Sequence, residues 1–333
     1  MRGERRSQAA SVARIDVDLS EMSTGSYDWQ MEISDRVAGG VLKTYRGLRL
    51  GMVVLVVFLA AAILIARLSA TCLQSTISDY YFTTAHPVFI GAICALGTCL
   101  IIYQGSSATE DALLNFAGFL AFIVALVPTA RPRLCGAGLP PQYDAAIGES
   151  VTALLIGAVT ALVIYLGLRA ASRSRDRQLA SHASGGWCER AQACLPWVLG
   201  GLLLAGAADF FADRAQFAQH AHWWSAVAMF AAIICVVVIN AIFASQRTEG
   251  GRRRRIAFTA AYVVLAAVML IALVAAVIVH ALYGPEWARG GVFVLESTLL
   301  LGFLSYWAVQ TADLWNVPDY RCVLPAEPKV AIR

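Results

Sequence analysis

The sequence predicts an all-α fold, a polytopic membrane bundle of about eight transmembrane helices with both termini facing the cytoplasm. Eight strongly apolar stretches lie between residues 50 and 312, most of them about as long as a helix needs to cross a bilayer. Of the 333 residues, 59% are hydrophobic and only 14% charged, which is not the balance of a soluble domain. The cations, for a formal net charge of +4, flank the apolar stretches instead of forming one basic stripe, and this disfavours a nucleic-acid partner.

In chain order the spans read as 50–67, 86–103, 112–129, 150–168, 196–211, 223–244, 257–281 and 292–312. Lipid offers the backbone no hydrogen bonds, so each must satisfy its own polar groups as a helix. The fifth is the least regular. From Pro196 to Phe211 it is short, holds Gly200, Gly201 and Gly206, and carries Asp209 near its end, so a re-entrant or tilted helix is the alternative to a full crossing. Ahead of the first span, residues 1–49 mix charges and lack an apolar core, which predicts an uncleaved anchor and no signal peptide. Residues 1–26, rich in Ser and Arg, predict disorder. Trp29, Ile33, Val37, Val41, Tyr45 and Leu48 recur at helical spacing, as in an amphipathic helix lying on the membrane surface or packed on the end of the bundle. Residues 313–333, with Pro318, Pro325 and Pro328, read as an irregular cytoplasmic tail.

Orientation follows from the short loops. Arg169, Arg173, Arg175, Arg177 and Arg190 lie between spans four and five, and Arg247 with Arg252, Arg253, Arg254 and Arg255 between spans six and seven, so these loops are expected in the cytoplasm. Helix contacts are expected at Gly91, Gly97, Gly157, Gly167 and Gly302, because close backbone approach holds helices together in lipid. Cys94, Cys99 and Cys235 fall inside spans, and Cys188, Cys194 and Cys322 on the reducing side. Cys72 and Cys135 both fall in outer loops, where a disulfide between them is permitted.

Four of the five histidines, His86, His220, His222 and His280, fall near the outer membrane face together with several acids. An unpaired charge inside the hydrocarbon boundary is costly and is usually paired or functional, which singles out Glu296 and Asp209, then His86 and His222. His220 and His222 are two apart and so point in different directions on a helix. Two roles are open for the group. It can join helices by hydrogen bonds or ion pairs, with Asp209, His220 and His280 among its members. Alternatively His86, His222 and Glu296 hold a divalent metal, zinc being the candidate, beside Ser78 and Asp79, and water attacks a lipid ester or amide. The aromatics on the same face, among them Tyr80, Tyr81, Trp223 and Trp224, fit an interfacial belt or a headgroup pocket equally.

The segment Thr76-Ile77-Ser78-Asp79-Tyr80-Tyr81-Phe82-Thr83, followed by Phe89, Gly91, Tyr103 and Gly105, resembles a group of largely uncharacterised bacterial multi-span proteins. Their first outer loop carries Ser-Ile-Ser-x-Tyr-Tyr-x-Thr, and they end in a helix resembling Phe293 to Trp307. About half the chain is covered. Thr76 replaces the first Ser, and His86-Pro87 stands where a basic residue followed by an acid is usual. The resemblance implies the architecture and a role for the first outer loop, and brings no reaction. A weaker likeness is to intramembrane zinc hydrolases of the alkaline-ceramidase type, for which Ser78, Asp79, His86 and His222 supply residue types. Their pair of histidines four apart is missing, since His280 has no such companion.

No Gly-rich phosphate loop precedes a basic residue, and no histidine lies at mid-span to ligate a haem. A secondary transporter stays open through Asn115, Pro128 and the fifth span, against which stand span centres of Ala, Val, Leu and Ile. The expected function is thus a non-catalytic structural, assembly or sensing component of a bacterial cytoplasmic membrane, in contact with lipids and other membrane subunits. The alternatives are the metal-dependent hydrolase and the transporter.

Overall fold

The computed structural model describes residues 36–129, 131, 132, 134, 138, 147–176, 187–248, 251–283 and 291–320. Among them there are eight α-helices and no strand: α1 (Arg36–Leu68), α2 (His86–Ile102), α3 (Ala108–Leu126), α4 (Ile147–Asp176), α5 (Trp187–Ala212), α6 (Arg214–Gln246), α7 (Gly251–Tyr283) and α8 (Gly291–Asp313). A short 3-10 helix, Ser78–Phe82, lies between α1 and α2. Six helices are long and apolar enough to cross a membrane, and His86–Ile102 and Gly148–Ile164 are shorter apolar helices. Each apolar stretch of the sequence falls on one helix. Val37 and Val41 of the amphipathic stripe belong to α1 itself, and Trp29 and Ile33 lie outside the described residues.

Local signals set the helix ends. Ser107 caps α3 by accepting from the Glu110 backbone N–H at 3.2 Å, and Glu110 reaches back to the Ser106 N–H at 2.7 Å, a variant of the reciprocal capping box. Asp213 caps α6 by accepting from the N–H groups of Ala215 and Gln216, both at 3.0 Å. Pro87 sits in the first turn of α2, where its missing N–H costs nothing.

The apolar helices have two kinds of apolar face. On α1, Met52, Val56, Leu59, Ile63 and Ala66 are buried along one stripe, whereas Val54, Leu64, Ile65 and Leu68 are more than half exposed. A helix greasy on its exposed side as well as its buried one has lipid as its fitting solvent. From α2 the main packing runs through α3, α6 and α7 to α8, while α4 and α5 pack more sparsely on α3 and α6. In the middle, Ala117, Val236 and Val237 are fully buried and Leu299 and Phe303 nearly so.

A close backbone approach joins α2 to α3. A Cβ on Gly97 would lie 2.6 Å from the Gly118 carbonyl oxygen, and one on Gly118 would lie 2.6 Å from that of Gly97. Gly302 is filled against the Met269 side chain, but Gly91 and Gly157 have no neighbour within 4 Å and make no such contact. Gly97→Ala is therefore expected to destabilise by about 1–3 kcal/mol, because a backbone atom cannot step aside. Unfolding in detergent would show it, with Gly91→Ala as the silent control.

Candidate functional site

Buried polar side chains gather at two ends of the bundle. One end carries the 3-10 helix and is termed the loop end; at the other, the tail end, the chain runs on past Asp313.

At the loop end, the segment between α1 and α2 folds inward, so that Tyr80 and Phe82 are 1% exposed and pack with Leu59, Ile63 and Phe89. Three contacts pin it. The His222 ring of α6 meets Ser78 Oγ through Nε2 at 2.9 Å and the Val127 carbonyl through Nδ1 at 2.6 Å. A carbonyl only accepts, so the network assigns the proton to Nδ1, and Nε2 accepts from the Ser78 hydroxyl. Glu296 of α8 accepts from the Ile77 N–H at 2.5 Å, and the Phe293 N–H in the first turn of α8 donates to the Ser75 carbonyl at 3.1 Å. Within the loop, Asp79 accepts from the Thr76 N–H and Thr76 Oγ1 from the Asp79 N–H, both at 3.0 Å. His86 donates from Nδ1 to the Tyr81 carbonyl at 2.6 Å and lies edge-on to the Tyr81 ring.

Burial pushes the Asp79 carboxyl above the usual aspartate range, and the hydrogen bonds from Thr76 oppose it only in part. The folded state then binds this proton more tightly than the unfolded chain does. Stability tied to Asp79 is present below pH ~4, the unfolded value, and is lost as pH rises through the folded one. Asp79→Asn keeps an acceptor for Thr76 and should remove that decline, giving a higher unfolding midpoint at neutral pH. A pH series of melting curves on both proteins checks the slope.

The structure thus brings Ser78, Asp79, His222 and Glu296 to one loop. Among the described residues, no group of three or more His, Cys, Asp or Glu is placed to hold a metal ion, so His86, His222 and Glu296 do not form the expected ligand set. Other expectations are corrected by position. Asp209 is exposed in the last turn of α5, and among the described residues its side chain joins no other helix. His220 is exposed and, among the described residues, bonds the Gln216 carbonyl of its own helix alone, whereas His222 is buried, as their spacing requires. The His280 ring stacks on that of Trp223 at 3.9 Å, a ring contact and not the hydrogen bond or ion pair expected. Cys72 is disulfide-bonded, and Cys135, its expected partner, lies outside the described residues.

The tail end holds a larger network that the sequence reading missed. Arg49 of α1 is fully buried and donates to the Tyr103 hydroxyl at 2.9 and 3.1 Å, to the Leu314 carbonyl at 3.1 Å and to that of Pro318. Glu110, also fully buried, accepts from Asn240 Nδ2 at 2.7 Å, and Asn240 Oδ1 accepts in turn from Gln310 Nε2 at 3.1 Å. Asp313 takes an ion pair from Arg247 and a hydrogen bond from the Tyr320 hydroxyl. The Tyr320 N–H donates to Ser106 at 3.0 Å, so residues 314–320 are docked on the bundle instead of forming a free tail. Burial and the neighbouring Asp313 charge push the Tyr320 hydroxyl far above the usual tyrosine range. The signals were present in the sequence. Asn240 and Gln310 are polar residues near the ends of apolar spans, and Ser107-Ala108-Thr109-Glu110 spells a capping box.

No protein-family model, curated protein or solved structure matches the chain.

Proposed function

We propose that the chain is a multi-spanning, non-catalytic component of a bacterial cytoplasmic membrane that assembles with or senses something at its outer face. Both termini lie in the cytoplasm, and the loop end faces outward. The observation that carries this reading is how the polar groups of the loop end are used. His222 Nε2 and the Glu296 carboxylate fasten residues 75–86 onto α6 and α8, His222 Nδ1 is spent on the Val127 carbonyl, and the Asp79 carboxylate and His86 Nδ1 are spent on bonds within the loop. Groups committed to intramolecular bonds fix a shape, and a fixed shape is what a lipid or a companion subunit reads. Against transport stands the apolar middle, where Leu299 and Phe303 separate Glu296 from Gln310 on α8.

A second reading rests on one distance. Ser78 Oγ at 2.9 Å from the unprotonated nitrogen of His222 is the relation of a nucleophile to its base. Treatment of purified protein with a fluorophosphonate separates the two. The non-catalytic reading expects no adduct at Ser78 and, in native-lipid particles, a companion subunit or ordered lipid on residues 75–86. A Ser78 adduct that vanishes in His222→Ala would replace it with acyl transfer. Cys72 is proposed to pair with Cys135, and peptide mapping without reductant should recover the two linked.

A further inference from the structure

Three buried polar atoms of α8 find no hydrogen-bond partner among the described residues: Tyr306 Oη, Trp307 Nε1 and Gln310 Oε1. All three side chains are at most 1% exposed. Gln310 lies one turn beyond Tyr306 and Trp307, which places the three on neighbouring positions of the helix surface. They belong to the tail-end network. Gln310 continues through Asn240 to Glu110, the Tyr306 ring lies 6.1 Å from that of Tyr262, and Trp307 stands edge-on to Tyr103 at 4.9 Å.

One orphaned group in a core is an irregularity, but three neighbours with complementary roles form a set. An indole N–H only donates, an amide oxygen only accepts and a phenol does either. The amide chain has a direction, with Gln310 donating to Asn240 and Asn240 to Glu110, so its open end is the acceptor Gln310 Oε1. The three orphaned atoms belong to uncharged side chains, one a donor, one an acceptor and one either, which favours a neutral occupant.

We propose that Tyr306, Trp307 and Gln310 form a binding site for one small neutral molecule that both donates and accepts hydrogen bonds, inside the tail-end half of the bundle. The molecule accepts from the Trp307 indole, donates to Gln310 Oε1 and exchanges a bond with the Tyr306 hydroxyl. Water is the smallest member of this class, and a compact alcohol or amide is the other source.

The full-length protein in detergent provides the test. Tyr306→Phe deletes one orphaned atom and little volume. In a dry core that removes a penalty, so the melting temperature holds or rises. In an occupied site it removes a ligand contact, and a fall of about 1–2 °C is expected, the shift that one ordinary hydrogen bond produces in a chain of this length. A high-resolution density map of the unaltered protein supplies the second reading, with a peak expected between the three groups. A peak with no mass adduct identifies water. An adduct in native mass spectrometry that dialysis removes, with a lowered melting temperature, identifies a solute. A featureless map, or a Tyr306→Phe protein that melts no lower than the parent, overturns the proposal.

Discussion

Asp313→Ala is expected to lower the stability of the folded chain by about 3–5 kcal/mol, the range for breaking a buried ion pair from one side. Asp313 is 1% exposed, and its carboxylate takes both the Arg247 guanidinium and the Tyr320 hydroxyl. Alanine would leave Arg247, itself 7% exposed, with a buried charge whose remaining acceptor among the described residues is the Asp313 carbonyl at 3.3 Å. Residues 314–320 would lose an anchor at the same time, so proteolysis there should quicken. The double replacement Arg247→Met with Asp313→Leu should recover most of the loss, because a matched apolar pair carries no desolvation cost. Chemical unfolding of the three proteins in one detergent measures this. An Asp313→Ala protein within about 1 kcal/mol of the parent would mean that water reaches the pair and screens it.

His222→Ala should cost roughly 2–4 kcal/mol, since it strands two buried groups, the Ser78 hydroxyl and the Val127 carbonyl, and empties the volume of a ring. The effect should also be local. With α6 no longer holding Ser78, residues 75–86 lose one of their hydrogen-bonded ties while keeping those to α8 and their packing on α1 and α2, and a cysteine placed at Thr84, already exposed, should label faster. His222→Gln, which can still accept from Ser78, should recover part of the stability. Unchanged labelling in His222→Ala would show that the ties to α8 and the packing of Tyr80 and Phe82 hold the loop without His222.

Both predictions concern residues that the sequence revealed unequally. The helices were legible because lipid leaves an apolar stretch almost no other structure, and residues 257–281 can be assigned without knowing their neighbours. His222 and Glu296 were legible as polar residues that hydrocarbon would not tolerate unpaired, but their partner, the backbone and hydroxyl of the Ile77-Ser78 turn, depends on a fold-back that no period in the sequence encodes. Asp209 misled for a related reason. Its depth was inferred from the apolar run around it, and α5 ends one turn later, beside the Asp213 cap. Arg49 was hidden by a rule that holds on average, because a cation before a span usually marks orientation. Here it is drawn into the bundle by carbonyls of residues 314 and 318, some 265 positions away in the chain.

The arrangement of α8 limits how the two ends can communicate. Glu296 and Gln310 are fourteen residues apart, about 21 Å along a helix, and fall within about 40° of the same azimuth. Between them α8 buries Leu299, Gly302 and Phe303, and Gly302 rests on the Met269 side chain, so a coupling of the two ends would have to run through a twist or piston stroke of the helix itself.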